Sequence, residues 1–109
     1  MAQEDKITVI GASGRSYEFY VYPWGQEFKP VGSVYLVLKK NLGLRPTYEI
    51  LYVGQTCNLS ERFDCHHKKQ CFDRNGKTHI GVRVTSTEQE RLAIERDLIA
   101  KYQPICNSR

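Results

Sequence analysis

The sequence predicts an α+β domain: a small central antiparallel β-sheet flanked by helices, with an N-terminal β-hairpin extension. Three observations lead there. Short runs rich in valine, isoleucine and tyrosine are separated by breaks containing Gly and Pro. Two stretches open with a capping residue followed three positions later by glutamate. The chain has 109 residues, 40% hydrophobic and 26% charged, which suits one compact core and is too little for a second.

Residues 6–10 and 16–22 are β-prone, and Gly11-Ala12-Ser13-Gly14 between them supplies turn chemistry, so the pair reads as a hairpin. This extension, residues 1–31, is expected to pack on the same domain as residues 32–109. Pro23-Trp24-Gly25-Gln26 breaks the pattern, and Pro30 and Gly32 mark a further turn. The strongest strand candidates are Val34-Tyr35-Leu36-Val37-Leu38 and Tyr48-Glu49-Ile50-Leu51-Tyr52-Val53, joined by a loop over 39–47 that contains Gly43 and Pro46. With Tyr35 opposite Tyr52, alternation puts Val37 and Ile50 on their face. Val34, Leu36, Leu38, Leu51 and Val53 then form an aliphatic core face. The loop length does not fix that register.

Asn58-Leu59-Ser60-Glu61 predicts a helix start, with the helix running to about Lys69. Arg62 and His66 are four apart and so neighbours on it. A loop around Asn75-Gly76 precedes a third strand over 79–85. Thr87-Glu88-Gln89-Glu90 then opens a helix to about Tyr102, ended by Pro104. On this helix Leu92, Leu98 and Ile99 share a face, and Glu95 falls within that stripe. A carboxylate turned toward a core must be paired, protonated or metal-bound. Arg62 is the expected partner in a purely structural reading. Glu88, Arg91, Arg96, Asp97 and Lys101 are expected mostly on the solvated side.

The net charge of +4 favours an anionic partner without requiring one. Arg62, Lys68, Lys69, Arg74, Lys77 and Arg83 fall close together, as a solvated surface would or as one that tracks phosphates would. No apolar run approaches the roughly 20 residues of a membrane span. No apolar stretch follows a basic leader at the N-terminus, so a cytoplasmic protein without membrane contact is expected. The cysteines, Cys57, Cys65, Cys71 and Cys106, are then expected as reduced thiols. Cys65, His66, His67, Cys71 and His79 could be a zinc set, but the Cys65–Cys71 spacing is longer than structural zinc sites use.

Gly32-Ser33-Val34-Tyr35 followed by Tyr52-Val53-Gly54-Gln55-Thr56 resembles the paired strand motifs that name the GIY-YIG nuclease family. Leu59 and Arg62 are similar to its helix motif, and His66 matches a histidine found in many members. Glu95-Arg96-Asp97-Leu98-Ile99, then Pro104 and Asn107, resembles the family's ending. The likeness spans about residues 32–107, in family order. Ser33 replaces a glycine, Val53 an isoleucine, and Gln55 stands where some members carry lysine.

The resemblance implies a GIY-YIG-like fold and a metal-dependent endonuclease that hydrolyses phosphodiester bonds in DNA. Its implied catalytic set is Tyr35, Tyr52, Arg62, His66, Glu95 and Asn107. Glu95 would hold one divalent cation, Mg2+ or Mn2+, as hard ions take carboxylate oxygen. Arg62 would neutralise a nonbridging oxygen. Tyr35 would activate water, Tyr52 would orient it or bind phosphate, and His66 would accept a proton. Asn107 would support the site by hydrogen bonding. Gln55, His67, Lys68, Lys69, Arg74 and Lys77 are the expected nucleic-acid contacts. The substrate is expected to be selected by structure or weakly by sequence, with a homodimer or an external recognition partner open. Aromatic residues Tyr17, Phe19, Tyr20, Tyr22 and Trp24 could stack on unpaired bases, but sheet packing is the favoured reading. The alternative function is a non-cleaving nucleic-acid-binding module of the same fold.

Overall fold

The computed structural model describes residues 3–61, 63 and 67–107. Five strands form one antiparallel sheet: β1 (Asp5–Ile10), β2 (Ser16–Pro23), β3 (Ser33–Asn41), β4 (Thr47–Thr56) and β5 (His79–Val84). Their spatial order is β1-β2-β5-β3-β4. The short helix α1 (Lys69–Arg74) precedes β5, and α2 (Glu88–Tyr102) follows it. This is the α+β class that the sequence predicts. The expected N-terminal hairpin forms and joins the sheet through β2, which pairs with β5. The sheet curls enough for Tyr48 of β4 to donate to Asp5 Oδ2 of β1 at 3.3 Å, although these are the two outermost strands. Among the described residues no helix is long and apolar enough to cross a membrane.

Alternation along β3 divides the interior in two. Val34, Leu36 and Leu38 face α2, in a core shared with Val9, Phe19, Val21, Val53, Ile94 and Leu98. Tyr35 and Val37 face the other way, into a cluster with Tyr52, Leu59, Phe72 and Cys106, bordered by Trp24, Phe28 and Phe63.

The register differs from the expectation by two residues: Tyr35 lies opposite Gly54, and Tyr52 opposite Val37. An even shift keeps both tyrosines on the expected common face. A bulge follows, because Leu38 pairs with Ile50 and leaves Leu51 as the extra residue. The bulge exchanges two assignments. Leu51 joins the tyrosine face, and Ile50 packs against the α2 side. The expected 39–47 loop also shortens, since Lys39–Asn41 continue β3 and Thr47 begins β4.

The region after Asn58 departs furthest from expectation. Asn58 does act as a cap, its Oδ1 accepting from Ser60 N at 3.1 Å and Ser60 Oγ at 2.6 Å. It caps only a three-residue 3-10 turn, Leu59–Glu61. Among the described residues regular α-helix begins at Lys69, near where the expected helix would end. Arg62 and residues 64–66 of that expected helix lie outside the described residues. The cap holds this turn through a local side-chain bond. In α2, by contrast, Thr87 is an extended N-cap whose side chain accepts from Glu90 N at 3.3 Å. Gln103, left-handed at φ 43°, closes the helix before Pro104.

Candidate functional site

Tyr35 and Tyr52 stand side by side on the two paired strands, ring centroids 6.0 Å apart. Gly54, directly across from Tyr35, makes this possible. A Cβ at Gly54 would lie 2.5 Å from both Cζ and the hydroxyl oxygen of Tyr35, and 2.8 Å from Tyr52 Cε2. The glycine is therefore required by close approach of a ring rather than by a turn. Phe63 meets Tyr35 edge-on at 5.1 Å, Phe72 lies 5.4 Å from Tyr52, and the His67 ring stands edge-on to Tyr52 at 6.4 Å. Tyr35 is 0% exposed and Tyr52 8%.

Asn107 reaches the same strand from the chain's C-terminal segment. Its Oδ1 accepts from Val53 N at 2.8 Å and its Nδ2 donates to Val53 O at 2.9 Å. One side-chain amide thus takes the place of a neighbouring strand at the open edge of β4, at the residue between Tyr52 and Gly54. Cys106 N donates to Leu51 O at 2.9 Å, extending that edge pairing. The segment is held from behind by a disulfide between Cys71 and Cys106, which corrects the expectation of reduced thiols. The two sulfurs come together because α1 and the tail both pack on the tyrosine face. Cys57 is free and exposed.

Glu95 is half-buried on α2. The inward stripe of this helix is Arg91, Ile94 and Leu98. Leu92, expected inward, is 36% exposed, because it lies two residues and about 200° of helix from Ile94. Arg91, expected in solvent, is 6% exposed. Its Nε donates to Gln55 Oε1 at 3.0 Å, and its Nη1 donates to the carbonyls of Thr85 at 3.0 Å and Ser86 at 2.9 Å. Asp97 is also tied down. Its carboxylate accepts from Ser13 N at 2.8 Å, Ser13 Oγ at 2.7 Å and the Tyr17 hydroxyl at 2.7 Å, docking α2 onto the N-terminal hairpin. The Ser13 hydroxyl, then Tyr17, hold Asp97 below the usual carboxylate range. Burial, then the Asp97 bond, push the Tyr17 phenol up. Since Glu95 and Asp97 are about 200° apart, Glu95 points away from the hairpin, toward the β4 side of the helix. The 91-94-98 spacing fits an inward Arg91, but the stripe read from Leu92, Leu98 and Ile99 runs out of phase with it. Nothing in the sequence marks Asp97.

The expected nucleic-acid contacts separate. His67 and Lys69 are exposed, Lys68 is half-buried, and Arg74 is exposed at the end of α1. Lys69 and Lys77 both pair with Asp73, at 3.1 and 2.5 Å, and hold its carboxyl low, Lys77 foremost. Lys77 also sits 4.9 Å over the Trp24 ring. Arg83 lies on the α2 side of the sheet, near Tyr17, and leaves the basic group. Arg62 and His66, together with Cys65, lie outside the described residues. The zinc set does not assemble from its described members: Cys71 is in the disulfide, and His79 bonds Glu4 at 2.9 Å and Thr78 at 2.7 Å. Among the described residues no three His, Cys, Asp or Glu side chains gather as metal ligands. Of the N-terminal aromatics, Tyr17 and Phe19 are core, Tyr22 and Trp24 border the tyrosine cluster, and Tyr20 is exposed.

Over 65 residues, 54% of this chain, the sequence is 31% identical to UvrABC system protein C of Pseudoalteromonas translucida (strain TAC 125). The chain spans only 11% of that relative's length. No protein-family model matches the chain, and no solved structure gives a significant match.

Proposed function

We propose that this chain is a metal-dependent endonuclease that hydrolyses phosphodiester bonds in DNA, acting structure-selectively or with weak sequence specificity. The observation that carries the reading is the tyrosine pair packed over Gly54. An ordinary sheet would accept a side chain at that position, whereas this one gives up the space to a second phenol. The likeness to UvrABC system protein C supports a nuclease acting on DNA.

Glu95 is the residue we assign to hold the divalent cation. A single half-buried carboxylate suits Mg2+ or Mn2+, which keep several waters and share substrate phosphate oxygens, better than it suits structural zinc. When bound, such an ion supplies charge neutralisation at the phosphoryl group. Burial of the phenols changes the division of labour that the resemblance implies. Tyr52 keeps some exposure and has the His67 ring beside it, so we assign it the contact with the attacking water. Tyr35, fully enclosed, orients Tyr52. A phenol is a weak base near neutrality and needs an onward proton acceptor, the task we give to the His66–His67 pair. Arg62 supplies a planar guanidinium to a nonbridging oxygen. Asn107 fixes the strand edge that carries Tyr52. Lys68, Lys69, Arg74 and Lys77 supply phosphate contacts, with Lys69 and Lys77 partly neutralised by Asp73. A homodimer or an external partner would add the selectivity that so small a surface lacks.

The test is incubation of the protein with labelled single-stranded, duplex and branched DNA, with Mg2+ or Mn2+ and with chelator. Cutting that needs the metal and disappears in a folded Glu95→Gln variant is the expected result. Binding without cutting, equal in wild type and Glu95→Gln, would replace the reading by a non-cleaving nucleic-acid-binding module.

A further inference from the structure

Arg91 is a buried cation whose described acceptors are all neutral oxygens: one side-chain amide and two backbone carbonyls. It occupies space that exists because residue 32 is glycine, where a Cβ would lie 2.4 Å from Arg91 Nη1. Such a guanidinium imposes an orientation. Arginine can only donate, so the Gln55 oxygen must face it, and the Gln55 NH2 must then turn away. Among the described residues no group accepts from Gln55 Nε2, and the side chain is half-buried. The positive charge on the oxygen side polarises the amide and strengthens its two remaining donors.

The position of this donor pair gives it a use. Gln55 directly follows Gly54, and Arg91 lies one helical turn before Glu95, within about 5–6 Å at Cβ. We infer that Arg91 is a positioning residue that fixes Gln55 as a neutral hydrogen-bond donor to a phosphate oxygen of bound DNA. This rests on the nuclease reading and deepens it. Arg91 itself is too enclosed to meet the phosphate, so its charge reaches the substrate through the amide.

Two properties that a structural contact would move together separate the outcomes: melting temperature, and affinity for a fluorescein-labelled DNA duplex read by anisotropy in chelator. Gln55→Glu gives Arg91 a carboxylate, so the bond becomes charge-assisted and the melting temperature holds or rises. The same change removes the donor, so binding weakens by about tenfold. Gln89→Glu, an exposed change on α2 with the same added charge, is the control for net charge. Gln55→Met, which has no donor and adds no charge, weakens binding relative to wild type. The inference is overturned if Gln55→Glu binds as tightly as Gln89→Glu, or if Gln55→Met binds like wild type. A wild type that neither binds nor cuts DNA would instead remove the nuclease reading, and this inference with it.

Discussion

The two faces of the sheet are closed in different ways. On one side a fifteen-residue helix lies over valine, leucine and isoleucine, locked at Asp97 and Arg91. On the other, a 3-10 turn, a six-residue helix and a C-terminal tail meet over aromatic rings, held by edge-on contacts and one disulfide. Interdigitated apolar side chains fill the first face, with Glu95 and Gln55 at its border. The second face, built of phenols, histidine and short elements, carries the tyrosine pair and the disulfide. Alternate residues of β3 serve the two faces, and the border with Glu95 and Gln55 lies on the α2 side, toward β4.

The largest effect expected from breaking this division is on the aliphatic side. Leu36→Ala removes a fully buried side chain and should cost about 2–5 kcal/mol in denaturant unfolding, with no new exposure of α1. Reducing the Cys71–Cys106 bridge comes next. Losing that cross-link should cost about 2–4 kcal/mol, and hydrogen exchange should rise at Val53, Cys106 and α1 before it rises in α2. Uniform loss of protection would show that the two faces are not separable. The smallest effect is electrostatic. Asp97 titrates below its ordinary value of 3.8, so its contribution is fully present above that pH and is lost as pH falls through the lower folded value. Asp97→Asn should therefore lower stability at neutral pH, converge with wild type as pH falls below about 4, and so flatten the acid limb of the stability profile.

The same contrast decides how much of the molecule is legible in its sequence. β-prone runs bounded by turn residues place the strands, and a capping box places α2, because these signals are local. Glu95 stands out as a carboxylate near an apolar stripe and is half-buried, but the stripe expected from Leu92 is out of phase with the real one, which hides Arg91. The bulge at Leu51 is invisible, since an extra residue in one strand leaves no mark in alternation until the partner is known. The short elements over the tyrosine face are the least legible. A cap at Asn58 signals a turn whether or not a helix continues. Four scattered cysteines do not reveal that Cys71 and Cys106 pair, and Asp97 meets partners 80 and 84 residues earlier. Tyr35, Tyr52 and Gly54 are legible through their motif, although their register is not.

Whether the tyrosine face takes part in the chemistry is decided by cleavage rate measured beside melting temperature, for one variant on each face. Tyr52→Phe removes only a hydroxyl from the aromatic face, and Ile94→Val only a methylene from the aliphatic one. Tyr52→Phe should melt near wild type but lose most of its metal-dependent cutting of DNA. Ile94→Val should lose about 0.5–1.5 kcal/mol of stability and keep its rate. Equal rates for Tyr52→Phe and wild type would contradict a part for the tyrosine face in the chemistry.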